Sequence, residues 1–118
     1  MNKPPMKFVK KGWGSETWIH NCPEYCGKLL IMNAGKQLSW HFHILKKETF
    51  WVQKGKVKII YGDTDDISQA KEEILTPGSN FEVPRGLRHR LVALENSEIF
   101  EFSTQHFDSD SIRIIPGD

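Results

Sequence analysis

Two histidines separated by one residue are the first feature of this sequence that could carry out chemistry. His41 and His43 lie in a stretch that continues to Glu48 and is bounded by Gly35 and Gly55. Side chains alternate along a strand, so the two His of an H-x-H pattern point to the same face. Imidazole and carboxylate together suit Mn, Fe, Ni, Co or Zn, and they leave coordination positions open for a substrate.

A second stretch supplies a further candidate ligand. Gly78, Pro84, Gly86 and His89 follow one another with gaps of five, one and two residues and lead into an apolar strand. An H-x-H pair alone is more often an ordinary pair of core or surface His. The five fixed positions of the first stretch, however, match by chance only on the order of 10⁻⁷ times per starting position. The spacing therefore favours a metal site.

Together the two stretches resemble the two motifs of the cupin superfamily. The resemblance implies an all-β cupin fold, which is a double-stranded β-helix or jelly-roll barrel. It also implies one divalent metal ion (Mn, Fe, Ni, Co or Zn) held by His41, His43, Glu48 and His89. Ala93 stands where the second motif usually has Asn, but that Asn is not a ligand, so the implied ligand set is unaffected.

Short strands must position these residues. A strand over 37–43 would place the polar side chains on one face and the apolar ones on the other, which fits a polar pocket inside a barrel. That polar face comprises Gln37, Ser39, His41 and His43. Gly and Pro separate the further strands, a pattern that indicates an all-β barrel or sandwich. These strands are predicted at 16–20, 28–32, 48–53, 56–61, 73–75, 81–83, 89–93 and 99–103.

Length and composition limit the possible functions. The 118 residues predict one domain, 1–118, in which 1–11 is a flexible or edge-docked arm and 62–72 a solvated loop. A formal charge of +1 favours neither a nucleic-acid partner nor a membrane surface. No apolar run approaches 18 residues and no signal-peptide core is present, so we expect a cytoplasmic location. Cys22 and Cys26 are expected to be free thiols, although a disulfide is an alternative.

Several other side chains could act on a substrate. Tyr61 faces inward by strand parity and is a candidate proton donor or acceptor, or else an interior Tyr bonded to the backbone. Arg85 lies at a turn near the barrel mouth and could bind an anion, because a guanidinium suits phosphate or carboxylate. Lys28 could point inward, or its ammonium could reach out to water. Strand alternation directs Arg88 and Arg90 away from the face of His89.

The flanking residues resemble those of mannose-6-phosphate isomerase-type cupins. The matching features are Trp13-Gly14, Lys28, Ser39, the run from Val83 to Gly86 with His89-Arg90-Leu91, and the acidic run that ends in Arg113. The resemblance implies a sugar-phosphate isomerase or epimerase that shuttles a proton through an enediol. Glu48 and Tyr61 are then the candidate catalytic residues. The candidate substrate-binding residues are Lys28, Gln37, Ser39, Arg85 and Arg113.

Two other function classes stay open on this sequence. One is a different metal enzyme, a dioxygenase or a lyase acting on a small metabolite, although Glu48 disfavours a three-His thiol dioxygenase. The other is a non-catalytic module that binds a sugar or sugar nucleotide. The expected partner is a small-molecule substrate, and for the isomerase an anionic one, a sugar phosphate. The resemblance also implies a homodimer, to which Trp13, Trp18 and Trp51 could contribute an apolar contact.

Overall fold

Eleven β-strands form almost all the regular structure of residues 2–118, which are the residues that this computed structural model describes. Met1, part of the predicted 1–11 arm, lies outside the described residues. Strands β1 to β6 are Lys7–Lys11, Gly14–Asn21, Cys26–Met32, Trp40–Phe42, Glu48–Lys54 and Val57–Gly62. Strands β7 to β11 are Lys71–Leu75, Asn80–Val83, Arg88–Ala93, Ser97–Ser103 and Ile112–Ile115. Two short 3-10 helices occupy Ile67–Gln69 and Asp108–Asp110.

The strands form two antiparallel sheets. The six-stranded sheet has the order β1-β2-β3-β10-β5-β8, and the five-stranded sheet has the order β11-β4-β9-β6-β7. Neighbours such as β3 and β10 are distant in the sequence, so the chain crosses repeatedly from one sheet to the other, as it does in a jelly roll. The all-β prediction is confirmed. Within residues 2–118 no helix is long and apolar enough to cross a membrane.

Alternation along the strands builds the core. In β3, every second residue from Cys26 to Met32 is buried, and β5 buries Glu48, Phe50 and Val52 in the same way. These inward faces meet Val57, Ile59 and Leu91 from the other sheet to form a continuous apolar cluster. The polar residues discussed below lie beyond one end of this cluster, where the inner faces carry His, Lys and Glu instead.

The structure departs from the sequence-based expectations within the segments 37–43 and 62–72. Only Trp40–Phe42 of the predicted strand 37–43 is a strand, and the isolated bridge between Gln37 and Val92 puts Gln37 on the face opposite His89. The pairing with β9 shifts by one residue between Gln37, which is opposite Val92, and His41, which is opposite His89. Strand parity therefore does not extend from Gln37 to His41, and Leu38 lies in the core. Part of the predicted 62–72 loop forms a 3-10 helix and the start of β7.

The tail and Trp13 also depart from the expectations. The tail, residues 107–118, contributes β11, which periodicity did not predict, while residues 7–11 of the predicted flexible or edge-docked arm form an edge strand paired with β2. Trp13, which was expected to be exposed at a dimer contact, is a core residue with 5% exposure. Cys22 and Cys26 are both free thiols in the structure.

Candidate metal centre and adjoining cleft

Three imidazoles converge at one point on the inner face of the five-stranded sheet. His41 on β4 is directly opposite His89 on β9, and side chains of directly opposed residues share a face. His43 follows β4 by one residue and is buried. One ligand nitrogen from each of the three lies within 4.8 Å of the others. The structure thus brings the H-x-H pair and the distant His89 together; the spacing predicted a shared face for the pair, and the resemblance implied His89.

The hydrogen bonds of the three rings fix their tautomers. Each Nδ1 lies against a backbone carbonyl, which can only accept, so each Nδ1 carries the proton and each Nε2 keeps its lone pair. The bonds are His41 to Ser39 at 2.8 Å, His43 to Asp110 at 3.1 Å and His89 to Leu87 at 2.9 Å. This backbone support is typical of metal-ligating His.

Burial keeps the imidazoles of His41 and His43 neutral, the form that binds a metal. It lowers the pKa of His43 to about 4, and it lowers the pKa of His41 well below the usual value. Nε2 of His89 is buried and has no hydrogen-bond partner among residues 2–118. The same atom faces Oε1 of Glu48 across 2.8 Å. Two lone pairs at that distance repel unless a cation lies beside them, so the donor set fits a divalent metal ion.

Glu48 borders this centre from the opposite sheet. It points inward from β5, and its Oε2 lies 3.9 Å from Nε2 of His43. Burial raises the pKa of Glu48, but Lys46 and the imidazoles outweigh burial and hold the pKa well below its usual value. Glu48 is therefore ionised at neutral pH and can ligate a cation or accept a proton.

A buried lysine that sequence reasoning missed contacts Glu48. Lys46 is 2% exposed, and its Nζ lies 3.1 Å from Oε2 of Glu48 and 2.9 Å from Oε2 of Glu101. A third contact joins Nζ to Nδ1 of His106 at 3.0 Å. Burial lowers the pKa of Lys46, but the two carboxylates raise it above its usual value, so the side chain is an ammonium. Only the position of Lys46 two residues before Glu48 could have drawn attention to it, and Lys46-Lys47 read as a turn.

Asp110, in the tail, binds the loop that connects β4 to β5. The carboxylate of Asp110 accepts the backbone N–H groups of Ile44, Leu45 and Lys46 at 2.9 to 3.0 Å. Its backbone carbonyl accepts the proton of His43 Nδ1. Asp110 is 5% exposed, so one residue of the tail holds both a candidate ligand and the loop that follows it.

Two adjoining clefts share Lys11 and Arg113 in their lining. Arg113 on β11 is directly opposite His41, so the two side chains share a face, and Arg113 lines both clefts. The larger cleft has a volume of about 370 Å³ and the smaller about 250 Å³. The larger cleft is lined by Lys7, Val9, Lys11, Glu16, Trp18, His106, Asp108, Ser111 and Arg113. Three of these side chains are Lys or Arg and two are Asp or Glu, so the lining has a formal excess of positive charge.

Two further predicted substrate residues lie near these clefts. Lys28 is buried beneath the larger cleft, with its Nζ 4.2 Å from the centre of the Trp18 ring and 3.6 Å from a carboxylate oxygen of Glu16. Ser39 lines the smaller cleft, and its Oγ lies 3.1 Å from Nδ1 of His41. Lys28 and Ser39 could therefore contact a molecule bound in the clefts, each from the side that faces the barrel interior.

Gln37 and Arg85, the other two predicted substrate-binding residues, do not line these clefts. The backbone N–H of Gln37 donates to the Asp118 carboxylate at 2.9 Å, and Gln37 lies on the other face of the sheet. Arg85 is exposed, and its Nε donates to the carbonyl of Leu45 at 2.8 Å, on the loop that Asp110 holds.

The remaining candidates have the following positions. Tyr61 is directly opposite His89, so the two side chains share a face. The Tyr61 hydroxyl donates to Glu73 at 3.2 Å, towards the β7 edge of the sheet. Arg88 binds Asp65, and Arg90 donates to the carbonyl of Leu38, so neither guanidinium forms part of the His cluster.

Comparisons with known proteins give a structural but not a sequence match. No family model and no curated protein sequence matches the chain. Among solved structures, the capsular polysaccharide assembling protein CapF from Staphylococcus aureus superposes with a TM-score of 0.83 at 20% identity over 97% of this chain. KdgF from Halomonas sp. superposes with a TM-score of 0.73 at 18% identity over 92% of this chain and 95% of its own.

A tryptophan-to-tyrosine variant of oxalate decarboxylase from Bacillus subtilis gives a TM-score of 0.80 at 13% identity over 92% of this chain and 30% of its own. The chain spans about a third of the length of the CapF structure, 33%. These structure neighbours are cupin-fold proteins, so the predicted cupin jelly-roll fold is confirmed. At these identities the likeness shows the fold alone.

Proposed function

We propose that the protein is a metal-dependent enzyme that isomerises or epimerises an anionic sugar, with sugar phosphates as the substrate class. The observation that carries the proposal is the combination of three converging Nε2 lone pairs with a cationic cleft on the adjoining strand. His41 belongs to the first feature and Arg113 to the second, and the two residues are directly opposite each other in the sheet. A substrate held by its anionic group near Arg113 would therefore extend towards the imidazoles.

The imidazoles of His41, His43 and His89 would hold the metal, and Glu48 is the proposed fourth ligand. A bound divalent cation supplies Lewis acidity, which polarises a carbonyl or hydroxyl oxygen and makes an adjacent C–H more acidic. The apolar side chains behind the His cluster exclude water from it, which strengthens every charge interaction there. Mn, Fe, Co, Ni and Zn all suit a donor set of N and O atoms.

Substrate recognition is proposed to occur in the clefts. Arg113 offers a planar fork of N–H donors that matches phosphate or carboxylate, while Lys7 and Lys11 add positive charge at the rim of the larger cleft. Trp18 presents an aromatic surface on which the apolar face of a sugar ring can pack. Lys28 beneath Trp18 and Ser39 beside His41 complete the proposed binding set, and Arg85 would contact only a substrate that reaches the loop after β4.

Proton transfer is assigned to Glu48 and Tyr61. Glu48 is ionised and borders the Nε2 atoms, so it can take a proton from the carbon next to a polarised carbonyl. Tyr61 shares the face of His89 and can donate its hydroxyl proton to an oxygen once that hydroxyl leaves Glu73. The names of the neighbours agree with small or sugar-based anions: CapF assembles a capsular polysaccharide, and oxalate is a small dicarboxylate.

The test is turnover by protein loaded separately with Mn, Fe, Co, Ni or Zn. Conversion of mannose 6-phosphate to fructose 6-phosphate is followed by a coupled assay, and other sugar phosphates are followed by NMR in D2O. An enediol route incorporates solvent deuterium at the carbon that loses its proton. His89→Ala should abolish exchange, and Lys47→Ala, an exposed neighbour of the site, should not change it.

Three results would contradict the proposal. Ligand-induced stabilisation without deuterium exchange for any sugar phosphate would indicate a non-catalytic sugar-binding module. Oxygen consumption by the iron-loaded protein would indicate the dioxygenase alternative. A new double bond or released carbon dioxide in the product would indicate a lyase.

The proposal also includes a cytoplasmic homodimer. Aromatic side chains line the outer face of the six-stranded sheet, with ring centres 6.4 Å apart for Trp51 and Phe100 and 6.2 Å apart for Phe100 and Phe102. Phe102 is 55% exposed, so this patch would lose apolar surface to water if a second copy covered it. Sedimentation should show a dimer that Phe102→Glu dissociates and Ile74→Glu, at an exposed site on the other sheet, does not.

A further inference from the structure

We propose that Lys46 is a positioning residue that holds one carboxylate oxygen of Glu48, so that Glu48 presents its other oxygen alone to the metal. This inference rests on the proposed function, because it requires a metal at the imidazoles. Lys46 is buried in the loop after β4, and its ammonium is the nearest cation to Glu48 among residues 2–118. No other buried lysine is paired with a carboxylate at the His centre in the part of the chain that the structure describes.

The geometry of Lys46 leaves it little freedom. Nζ of Lys46 forms hydrogen bonds with Oε2 of Glu101 at 2.9 Å and with Nδ1 of His106 at 3.0 Å. Its contact with Oε2 of Glu48, at 3.1 Å, is an ion pair, and that oxygen has no hydrogen-bond partner among residues 2–118. His106 accepts at Nδ1, so its Nε2 carries the ring proton and donates to Asp108 at 3.0 Å. The backbone N–H of Lys46 is held separately by Asp110. The side chain is thus fixed at both ends.

The two carboxylates have different surroundings, which divides their roles. Glu101 lies on β10 opposite Lys28, and its contacts with charged groups are to Lys46. It therefore serves as the counter-ion of Lys46. Glu48 lies between Lys46 on one side and the imidazoles on the other. Its Oε1 is 2.8 Å from Nε2 of His89, whereas its Oε2 is closer to Nζ of Lys46, at 3.1 Å, than to Nε2 of His43, at 3.9 Å. Because Glu101 already balances the ammonium, the charge of Glu48 stays available to a metal.

A simple structural ion pair is the competing explanation, and removal of Lys46 alone would not separate the two. Lys46→Met leaves two buried carboxylates without a cation, which destabilises the fold and also changes the charge near the metal. The double variant Lys46→Met/Glu101→Gln removes one positive and one negative charge together. Its net charge equals that of the wild type, so a change at the metal reports position rather than charge.

The experiment loads Co²⁺ into the wild type, the double variant and the exposed control Lys47→Met. The visible absorption of Co²⁺ reports coordination number, because higher-coordinate sites absorb more weakly. In the double variant Glu48 is free to turn and bind through both oxygens, so we expect weaker absorption and a 10- to 100-fold loss of Co²⁺ affinity. Lys47→Met should match the wild type. In a Glu48→Gln background, the double variant should cause no further loss, since Lys46 acts through Glu48.

The possible results separate the two proposals. A double variant with the wild-type spectrum and affinity overturns the role of Lys46 and leaves the metal centre intact. A wild-type protein that binds no Co²⁺ overturns both the metal-dependent function and the role of Lys46. A further loss of the same size in the Glu48→Gln background also overturns the inference, because Lys46 would then act without Glu48.

Discussion

Asp110→Asn is the substitution whose effect on stability follows most directly from the structure. The Asp110 carboxylate accepts three backbone N–H groups from residues 44–46, two at Oδ1 and one at Oδ2. Asn keeps one acceptor oxygen, so it can retain two of the three bonds. The third N–H then faces the amide NH2 group, and two donors cannot bond to each other.

The expected loss follows from that count. A hydrogen bond to a charged group contributes roughly 1.5–3 kcal/mol to stability. A buried N–H group that loses its partner lowers stability by the free energy needed to remove it from water, roughly 1–3 kcal/mol. We therefore expect Asp110→Asn to lower the free energy of unfolding by about 3 kcal/mol. For a domain of this length that corresponds to a decrease in Tm on the order of 10 °C. Metal affinity should fall too, because the carbonyl of Asp110 orients His43.

Urea denaturation of the metal-free proteins at pH 7 measures the loss, with Asp108→Asn as the matched control. Asp108 lies in the same 3-10 helix, but its side chain is 79% exposed and it holds no backbone N–H group, so the control should lose under about 1 kcal/mol. A loss of less than about 1 kcal/mol for Asp110→Asn, or losses that are equal in the two variants, would refute the reasoning.

The pH dependence provides a second check on the same variant. Burial raises the pKa of Asp110, but the three N–H donors outweigh burial and hold it below the usual value. A carboxyl with a lowered pKa in the folded state stabilises the fold above its unfolded pKa of about 3.9. That contribution is lost as the pH falls through the folded pKa. The difference between the wild type and Asp110→Asn should therefore be constant above about pH 5 and shrink below about pH 4.

Three further outcomes are expected. In urea denaturation, Gly55→Ala should destabilise the protein by at least about 1 kcal/mol more than Gly35→Ala. Both Gly have positive φ, but a Cβ at Gly55 would also collide with the Ser97 hydroxyl, whereas a Cβ at Gly35 would meet no other atom. The metal-free protein should lose stability as the pH falls from 6.5 towards 4, by about 3 kcal/mol for His43 alone. The folded pKa of His43 is about 4, so in this range only the unfolded chain binds a proton at His43. Calorimetry at several pH values measures the loss, and a flat profile would contradict it. Metal at 100 times its Kd should stabilise the wild type by about 2.7 kcal/mol and chelation should reverse this, whereas His89→Ala should show no metal-dependent shift in Tm.

The sequence predicted the strands whose side chains alternate between the core and the surface. Strand periodicity is local, so β3, β5, β6 and β10 could be located from patterns such as Val57 and Ile59 alternating with lysines. The H-x-H spacing predicted that His41 and His43 share a face, and their ring centres are 4.9 Å apart although His43 lies just beyond β4. The addition of His89 depended on a resemblance to a known motif, since no local rule relates residues so far apart in the chain.

The tertiary structure decided which of the other polar residues belong to the site. Lys46 read as part of a turn, and only the approach of β10 and the tail shows that its ammonium meets Glu101 and His106 inside the protein. Gln37 was expected to face the His cluster, but a one-residue shift in the pairing with β9 between Gln37 and His41 reverses the parity. Composition and periodicity report whether a side chain is buried. The partner it meets depends on contacts between distant segments, and those exist only once the two sheets are packed.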